Sequence, residues 1–176
     1  GMTYGFDRLY ISVIQNEQGP SLCPKVEIYE FDEELISGRL IFQSTPCANI
    51  YVGDYHNMGA QIAVSKKNIF IVGGDSLMDA GSIHYPSSIA INCCKGMDFK
   101  SAHESTNFFG SVVMINKENL KFKKISFGHR SPQGLFFDPN TSLLWETENG
   151  PRGGDELNLI KIGKHYGWPY VTFGLP

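Results

Sequence analysis

Short runs of aliphatic and aromatic residues recur along the chain, separated by glycine, proline and small polar residues. Few windows repeat apolar residues at the i, i+3, i+4 spacing of a long amphipathic helix, whereas brief apolar runs bounded by turn-forming residues are typical of β-strands. The 19 glycines and 9 prolines provide the turn signals between these runs. The pattern therefore predicts an all-β fold.

The predicted strands form two sets that alternate along the sequence. The first set is residues 9–14, 68–73 and 143–148, and each member is followed by one of the second set, residues 25–31, 111–116 and 156–162. Further strands at residues 61–64 and 133–137 stand close enough to the next strand to form tight hairpins, and residues 122–125 form a short closing strand. A unit of this kind that recurs is typical of β-propeller blades, with a sandwich or a Greek-key barrel as the alternatives.

About three blades fit into 176 residues, whereas closed propellers have about four to eight. We therefore expect one partial propeller domain over residues 2–176, with Gly1 as an expression scar outside the fold. An open arc of blades leaves strand edges and blade faces uncovered, which favours aggregation or pairing. The chain is accordingly expected either to be part of a longer protein or to self-associate through its open edges.

Composition and charge narrow the classes of partner. Lys and Arg number 15 against 18 Asp and Glu, a net charge of −3, which argues against a nucleic-acid partner. No apolar stretch is long enough for a membrane-spanning helix, and the chain shows no signal peptide. The four cysteines lack C-x-x-C spacing. A disulfide between Cys23 and Cys47 and buried free thiols are both compatible with the sequence, and the adjacent pair Cys93 and Cys94 is expected to serve packing.

The residues with the clearest chemistry lie in three neighbouring segments, GHRSPQGL from Gly128, ENGPRGGDELNLI from Glu148 and YGWP from Tyr166. In the middle segment, glycine and proline expose backbone carbonyls, and Glu148, Asp155 and Glu156 supply carboxylates. Oxygen ligands of both kinds suit calcium. An acidic turn that binds no metal is the alternative, because Asp and Gly are common in turns.

Together these three segments resemble the signature of the soluble glucose and aldose sugar dehydrogenases of the glucose/sorbosone dehydrogenase type. The weaker match around His56, followed by a small-residue turn, a hairpin and the pair Gly74-Asp75, extends the resemblance upstream. The resemblance implies a six-bladed quinoprotein propeller that uses pyrroloquinoline quinone (PQQ) and calcium. It also implies oxidation of the C1 hydroxyl of an aldose to the lactone, a separate electron acceptor, and a periplasmic or secreted location.

The same resemblance assigns roles to individual residues. His56 matches the general base that takes the proton of the anomeric hydroxyl, which suits an imidazole at neutral pH. Arg130 matches the cation that faces cofactor and substrate, and it counts as both a catalytic and a cofactor-binding residue. The remaining implied cofactor-binding residues are Gln133 and Asn149. The implied metal ligands are the carbonyls of Gly150 and Pro151 beside the quinone, and Glu156 with the Tyr166 carbonyl at a second, structural calcium.

Two other functions remain open on the sequence. A non-catalytic, calcium-stabilised propeller fragment that acts as a binding module is favoured by the absence of the family's later blades and by Ser131, which replaces the family's usual asparagine. A calcium-dependent lactone or ester hydrolase requires carboxylates that converge on one metal, and the sequence does not clearly show such a cluster. The retention of His56 with Arg130 favours the dehydrogenase. Which sugar is oxidised is not encoded in a readable way.

Overall fold

The structure, a computed structural model, describes residues 1–16, 24–32, 34, 37–45, 59–75, 108–150, 153–168 and 170–171. Within these ranges the chain forms twelve β-strands and no helix, which confirms the predicted all-β fold. The strands are β1 (Met2–Gly5), β2 (Arg8–Asn16), β3 (Pro24–Phe31), β4 (Arg39–Gln43), β5 (Gly59–Val64), β6 (Asn68–Gly73), β7 (Ser111–Asn116), β8 (Phe122–Phe127), β9 (Pro132–Asp138), β10 (Leu143–Glu148), β11 (Glu156–Leu159) and β12 (Lys164–His165).

Three sheets follow one another along the chain, and each is an antiparallel meander. The first has the order β1-β2-β3-β4, the second contains β5-β6-β7-β8, and the third contains β9-β10-β11. The two-residue strand β12 returns to the second sheet and pairs with β8 in parallel. The three meanders are the repeating units that the sequence pattern predicts.

The predicted strand pairs correspond closely to the observed ones. In each sheet a strand of the first predicted set pairs with the following strand of the second set, as β2 with β3, β6 with β7 and β10 with β11. The predicted hairpins, β5 with β6 and β9 with β10, are also present. The largest boundary error is at β11, which ends at Leu159 and not at Ile162, because the amide of Lys161 donates to the Tyr166 hydroxyl and a turn with Gly163 at φ 77° follows.

Three short strands, β1, β4 and β12, are absent from the sequence prediction. Each lies at the edge of its sheet and has two to five residues. Pairing with a long neighbouring strand, and not an apolar run of its own, places such a segment in a sheet. The backbone of Gly1 also pairs with Ser12, whose amide donates to the Gly1 carbonyl at 2.8 Å.

The core lies on both faces of the second sheet. On β6, Ile69 and Ile71 pack toward the first sheet, whereas Phe70 and Val72 pack toward the third. Alternate side chains of a strand point to opposite faces, so a strand between two other sheets is apolar throughout. The side chains of Tyr4 and Leu157, on the first and third sheets, are 66% and 67% exposed. The described residues thus include two apolar interfaces between three sheets, and no helix among them has the length and apolar character to cross a membrane.

Candidate functional site

The motif segments of the sequence meet at one end of the third sheet. The loop of residues 128–131 leads into β9, and the turn that begins with Asn149 follows β10. In the antiparallel pair of β9 and β10, Pro132 lies opposite Glu148. The amide of Asn149 donates to the Ser131 carbonyl at 2.9 Å and extends the pairing by one step. Residues 130–133 and 148–150 are therefore neighbours in space.

Gly128 gives the loop its entry angle. Its φ is 81°, a left-handed conformation that side chains rarely adopt, and a Cβ atom there would lie 2.5 Å from the imidazole of His165. The carbonyl of Gly128 accepts a hydrogen bond from the amide of Trp168 at 3.1 Å. The loop that carries the motif is thereby attached to the segment that follows β12.

Arg130 is held at several points along its length. Its amide donates to the carboxylate of Glu148, and its carbonyl accepts from the amide of Asp75 at 2.9 Å. At the far end, one guanidinium nitrogen donates to the Asn149 carbonyl at 3.0 Å, and the guanidinium carbon lies 5.2 Å from the ring centre of Trp168. Arg130 is 8% exposed. A buried arginine with a fixed orientation presents a permanent cation.

Trp168 and Asp75 complete the support of this arginine. The indole nitrogen of Trp168 donates to Oδ2 of Asp75 at 2.8 Å. Asp75 immediately follows the Gly73-Gly74 pair at the end of β6 and is 3% exposed. The hydrogen bond from the Asp75 amide to the Arg130 carbonyl thus joins the end of β6 to the loop before β9, and the bond from Trp168 to Asp75 spans 93 residues of sequence.

Gln133 and Asn149 are exposed beside Arg130. The side-chain amide of Gln133 donates to the carbonyl of Ser131 at 3.3 Å and to its hydroxyl at 3.1 Å. Arg130, Gln133 and Asn149, which the sequence analysis selected as cofactor-binding residues, form one connected group around Ser131. The group offers a cation and two amide side chains on one surface.

Behind this group lies a buried cluster of three ionisable side chains, His129, Glu146 and Glu148. Nδ1 of His129 is 3.2 Å from Glu148 Oε2 and 3.7 Å from Glu146 Oε2, and the His129 side chain is fully buried. Nε2 of the same ring is 2.9 Å from the Ser126 hydroxyl, and the ring stacks on Tyr166 at a centroid distance of 4.7 Å. One side-chain nitrogen or oxygen atom from each of His129, Glu146 and Glu148 lies within 4.8 Å of the other two.

Glu146 has the most perturbed carboxyl group in this cluster. Its burial and the nearby charge of Glu148 raise its pKa to about 8, although the hydrogen bond from Asn158 acts in the opposite direction. Nδ2 of Asn158 donates to Glu146 Oε2 at 3.0 Å and lies 3.1 Å from Glu156 Oε2. Among the described residues, Oε1 of Glu146 has no hydrogen-bond partner. Glu146 therefore carries a proton at neutral pH.

The turn after β10 is tight. The amide of Gly150 donates to Oδ1 of Asp155 at 3.1 Å, and a Cβ atom on Gly150 would lie 1.9 Å from the carbonyl oxygen of Gly154. Only glycine fits this approach of two backbone segments. Of the three carboxylates that the sequence analysis assigned to this turn, Asp155 closes the turn and Glu156 faces Asn158, whereas Glu148 turns away toward His129.

Tyr166 lies below the cluster, and its hydroxyl is engaged by the backbone. It donates to the Leu159 carbonyl at 2.6 Å and accepts from the amide of Lys161 at 2.8 Å. The Tyr166 ring connects His129 to the turn after β11. A metal ion that binds Tyr166 therefore has the main-chain carbonyl as its available oxygen.

Two of the predicted site residues, His56 and Pro151, lie outside the described residues, as do all four cysteines. The sequence analysis missed Asp75 as a support of Arg130 and Glu146 as a member of the buried cluster behind the site, and it placed Glu148 in the turn. One signal was available: Glu146 and Glu148 are two positions apart on a strand and so share a face. The sequence does not show that this face of β10 is buried, and its burial places Glu146 and Glu148 beside His129.

The family model described as Glucose / Sorbosone dehydrogenase matches residues 25–176. The chain belongs to this family. Two curated relatives agree with the assignment. The aldose sugar dehydrogenase YliI of Escherichia coli is 52% identical over 61 residues, which cover 35% of this chain and 16% of the relative. The quinoprotein glucose dehydrogenase B of Acinetobacter calcoaceticus is 37% identical over 100 residues, which cover 51% of this chain and 19% of the relative.

Solved structures of glucose/sorbosone dehydrogenase relatives share the fold. The structural match to a glucose dehydrogenase covers 97% of this chain and 48% of the other protein's chain, with a TM-score of 0.67 and 27% sequence identity. A second match is an aldose sugar dehydrogenase of Streptomyces coelicolor, solved in its PQQ-bound form. This match covers 94% of this chain and 44% of the other protein's chain, with a TM-score of 0.60 and 23% sequence identity. The chain thus spans about half the length of these structures. The prediction of a partial quinoprotein-type propeller is confirmed.

Proposed function

We propose that this chain is part of a PQQ- and calcium-dependent aldose sugar dehydrogenase. The reaction is oxidation of the C1 hydroxyl of an aldose to the lactone, with hydride transfer to PQQ and a separate acceptor for the electrons. We further propose a periplasmic or secreted location and a single partial propeller domain of about three blades over residues 2–176. Family membership and the nature of the relatives, a quinoprotein and a PQQ-bound enzyme among them, support the reaction class.

The observation that carries the proposal is the arrangement of Arg130, Gln133 and Asn149. A ligand with several carboxylates requires a fixed cation and nearby amide donors. Arg130 supplies the cation, and its guanidinium is held in place by the Asn149 carbonyl. Gln133 and Asn149 stand exposed near it. Arg130 would also stabilise negative charge that develops on the quinone oxygens.

The donors around Gly150 fit calcium. Backbone carbonyls and carboxylates are the oxygen ligands that calcium prefers, and Gly150 lies close to both the Gly154 carbonyl and the Asp155 carboxylate. In this proposal the carbonyls of Gly150 and Pro151 hold the ion beside the quinone, and the ion polarises the cofactor as a Lewis acid. Glu156 and the Tyr166 carbonyl hold a second ion. The engagement of the Tyr166 hydroxyl by the backbone supports the use of its carbonyl.

His56 completes the proposed set as the general base. Its role is to take the proton of the anomeric hydroxyl, which a neutral imidazole does efficiently because its ordinary pKa lies near neutral pH. His56 precedes β5 by only a few residues, and β5 packs beside β9, the strand that follows Arg130.

The proposal is tested by calorimetric titration of PQQ into the calcium-loaded chain. We expect micromolar or tighter binding, a loss of roughly tenfold or more in Arg130→Ala, and no change in Arg39→Ala. Arg39 is the matched control because it is an arginine on an exposed strand edge, paired with Glu30 at 2.7 Å. No PQQ binding by a folded, calcium-loaded chain would contradict the proposal for this chain and favour the non-catalytic binding module.

Light scattering on the same sample tests the assembly. The exposed outer faces of the first and third sheets support the proposal that further blades or a second copy cover them. A complex of two chains is expected at tens of micromolar, roughly the range in which weak association becomes visible. A stable monomer that nevertheless binds PQQ would show that the half-ring alone suffices.

A further inference from the structure

Glu148 is a buried carboxylate whose side-chain hydrogen bonds within the described part of the chain fall on three consecutive residues of the motif loop. Oε1 accepts hydrogen bonds from the amides of Arg130 and Ser131, the latter at 3.4 Å, and Oε2 is 3.2 Å from Nδ1 of His129. Glu148 is 6% exposed. Its negative charge is thus directed into the backbone of the loop and not toward the turn that follows.

These contacts fix the base of the Arg130 side chain. Hydrogen bonds to a charged acceptor are stronger than those between neutral groups, and a buried amide that loses its acceptor pays a desolvation cost. The adjacent residue, Asn149, accepts from the guanidinium through its carbonyl. Residues 148 and 149 therefore hold the two ends of the same arginine.

His129 links this anchor to the second sheet. A carboxylate oxygen only accepts, so the contact with Glu148 requires the hydrogen on Nδ1, and Nε2 is then the acceptor for the Ser126 hydroxyl on β8. The ring stacks on Tyr166. Glu148 consequently determines the tautomer of a ring that is held on three sides.

We propose that Glu148 is a positioning residue that holds Arg130 in its cofactor-facing orientation through the amides of residues 130 and 131. The proposal rests on the PQQ-binding function proposed above. It assigns to Glu148 a role distinct from that of Glu146, which lies two positions earlier on the same face of β10 and makes no contact with the Arg130 backbone among the described residues.

The test compares Glu148→Asp with Glu146→Asp in the calcium-loaded chain. Both substitutions shorten a buried acidic side chain of the same strand by one methylene, so they should lower the free energy of unfolding by similar amounts. Amide hydrogen exchange is measured at Arg130 and Ser131 and normalised to amides of the β6–β7 ladder, which report global opening. PQQ affinity is measured on the same samples by calorimetry.

We expect Glu148→Asp to raise normalised exchange at Arg130 and Ser131 by about tenfold and to weaken PQQ binding by a similar factor. Glu146→Asp should leave both quantities within about threefold of wild type, a difference well below the tenfold step expected for a lost hydrogen bond. Glu148→Gln should rescue amide protection, because its amide oxygen still accepts from Arg130. Its amide nitrogen only donates, so the ring hydrogen of His129 should move to Nε2, which ¹⁵N chemical shifts detect.

Two results would overturn the proposal and leave Glu148 with a general stabilising role. One is an equal effect of the two aspartate variants, and the other is faster exchange in Glu148→Asp that is uniform across the fold. If Glu148→Asp does not fold, Glu148→Gln decides: this variant keeps the accepting oxygen, so a roughly tenfold rise in its normalised exchange at Arg130 and Ser131 overturns the proposal. If the wild-type chain binds no PQQ, the proposed function fails, and the local exchange at Arg130 and Ser131 still determines whether Glu148 holds the arginine.

Discussion

Strands β6 and β10 are central strands of neighbouring sheets, and their interiors have opposite chemistry. On β6, the consecutive side chains Ile69 to Val72 are apolar and buried on both faces. On β10, the alternate residues Leu144, Glu146 and Glu148 are buried, and two of the three are acids. Burial of apolar side chains stabilises a fold, whereas burial of carboxyl groups costs free energy unless each is paired.

The difference separates the part of the molecule that maintains the fold from the part for which we propose a binding function. Every carboxylate oxygen of Glu148 is engaged by the motif loop, and Glu146 retains a proton because its charge is poorly compensated. At the end of the third sheet, buried carboxyl groups take the place of apolar side chains, and one of them, Glu148, holds the Arg130 loop. Substitutions in the two regions should therefore have effects of opposite sign or of different dependence on conditions.

The largest effect is expected from a cavity in the β6 interface. Ile71→Ala removes a fully buried side chain between the first and second sheets and should lower the free energy of unfolding by about 4 kcal/mol, independent of pH. Urea unfolding measures the change. Leu157→Ala, on the exposed face of the third sheet, is the control and should change stability by less than about 0.5 kcal/mol. A similar loss in both would show that the interface between the sheets is not the main core.

The next effect concerns Glu146 and has a pH dependence. A carboxyl group with a raised pKa in the folded state binds more protons when folded, so stability is full below the unfolded pKa and is lost as pH rises toward about 8. Glu146→Gln lacks this loss. Its free energy of unfolding should exceed that of wild type by an amount that grows between pH 5 and pH 9 to on the order of 3 kcal/mol.

Urea unfolding at several pH values measures the gap between Glu146→Gln and wild type. Subtraction removes the contributions of all other titrating groups, because both proteins share them. A constant gap across this range would contradict the assignment of the bound proton to Glu146. A gap that closes as pH rises would indicate that Glu146 is stabilised in its charged form.

The smallest effect is expected from calcium. The ion binds the folded state only, so at concentrations well above its dissociation constant it should add about 2 kcal/mol and raise the melting temperature by roughly 5 °C. Glu156→Ala should abolish the rise, whereas Glu118→Ala, on the exposed turn between β7 and β8, should retain it. Differential scanning calorimetry with calcium and with chelator makes the comparison. Equal rises in the two variants would exclude Glu156 as a ligand.

The strand pattern of the sequence was sufficient for the central strands of the second and third sheets. The predicted bounds of β6, β7 and β10 coincide with the observed ones, because apolar runs bounded by turn residues are long and unambiguous there. The short strands β1, β4 and β12 could not be predicted, since pairing with a neighbour defines them. The end of β11 was misplaced because the amide of Lys161 donates to the side-chain hydroxyl of Tyr166, which lies five residues further along the chain.

At the site, the motif resemblance selected Arg130, Gln133 and Asn149, which the fold brings together. It did not reveal the support behind them. Burial of Glu146 and Glu148 depends on which face of β10 packs inward, and the contact between Trp168 and Asp75 joins residues 93 positions apart. Neither follows from local sequence, because both are set when separate sheets pack together.

The central claim is that the end of the third sheet binds PQQ, and a two-dimensional amide NMR spectrum of the calcium-loaded chain tests it most directly. On addition of PQQ, we expect the largest shifts at Arg130, Ser131, Gln133, Asn149 and Gly150, with the amides of the β6–β7 ladder unchanged. Shifts confined to other parts of the chain, or none at saturating PQQ, would contradict the claim.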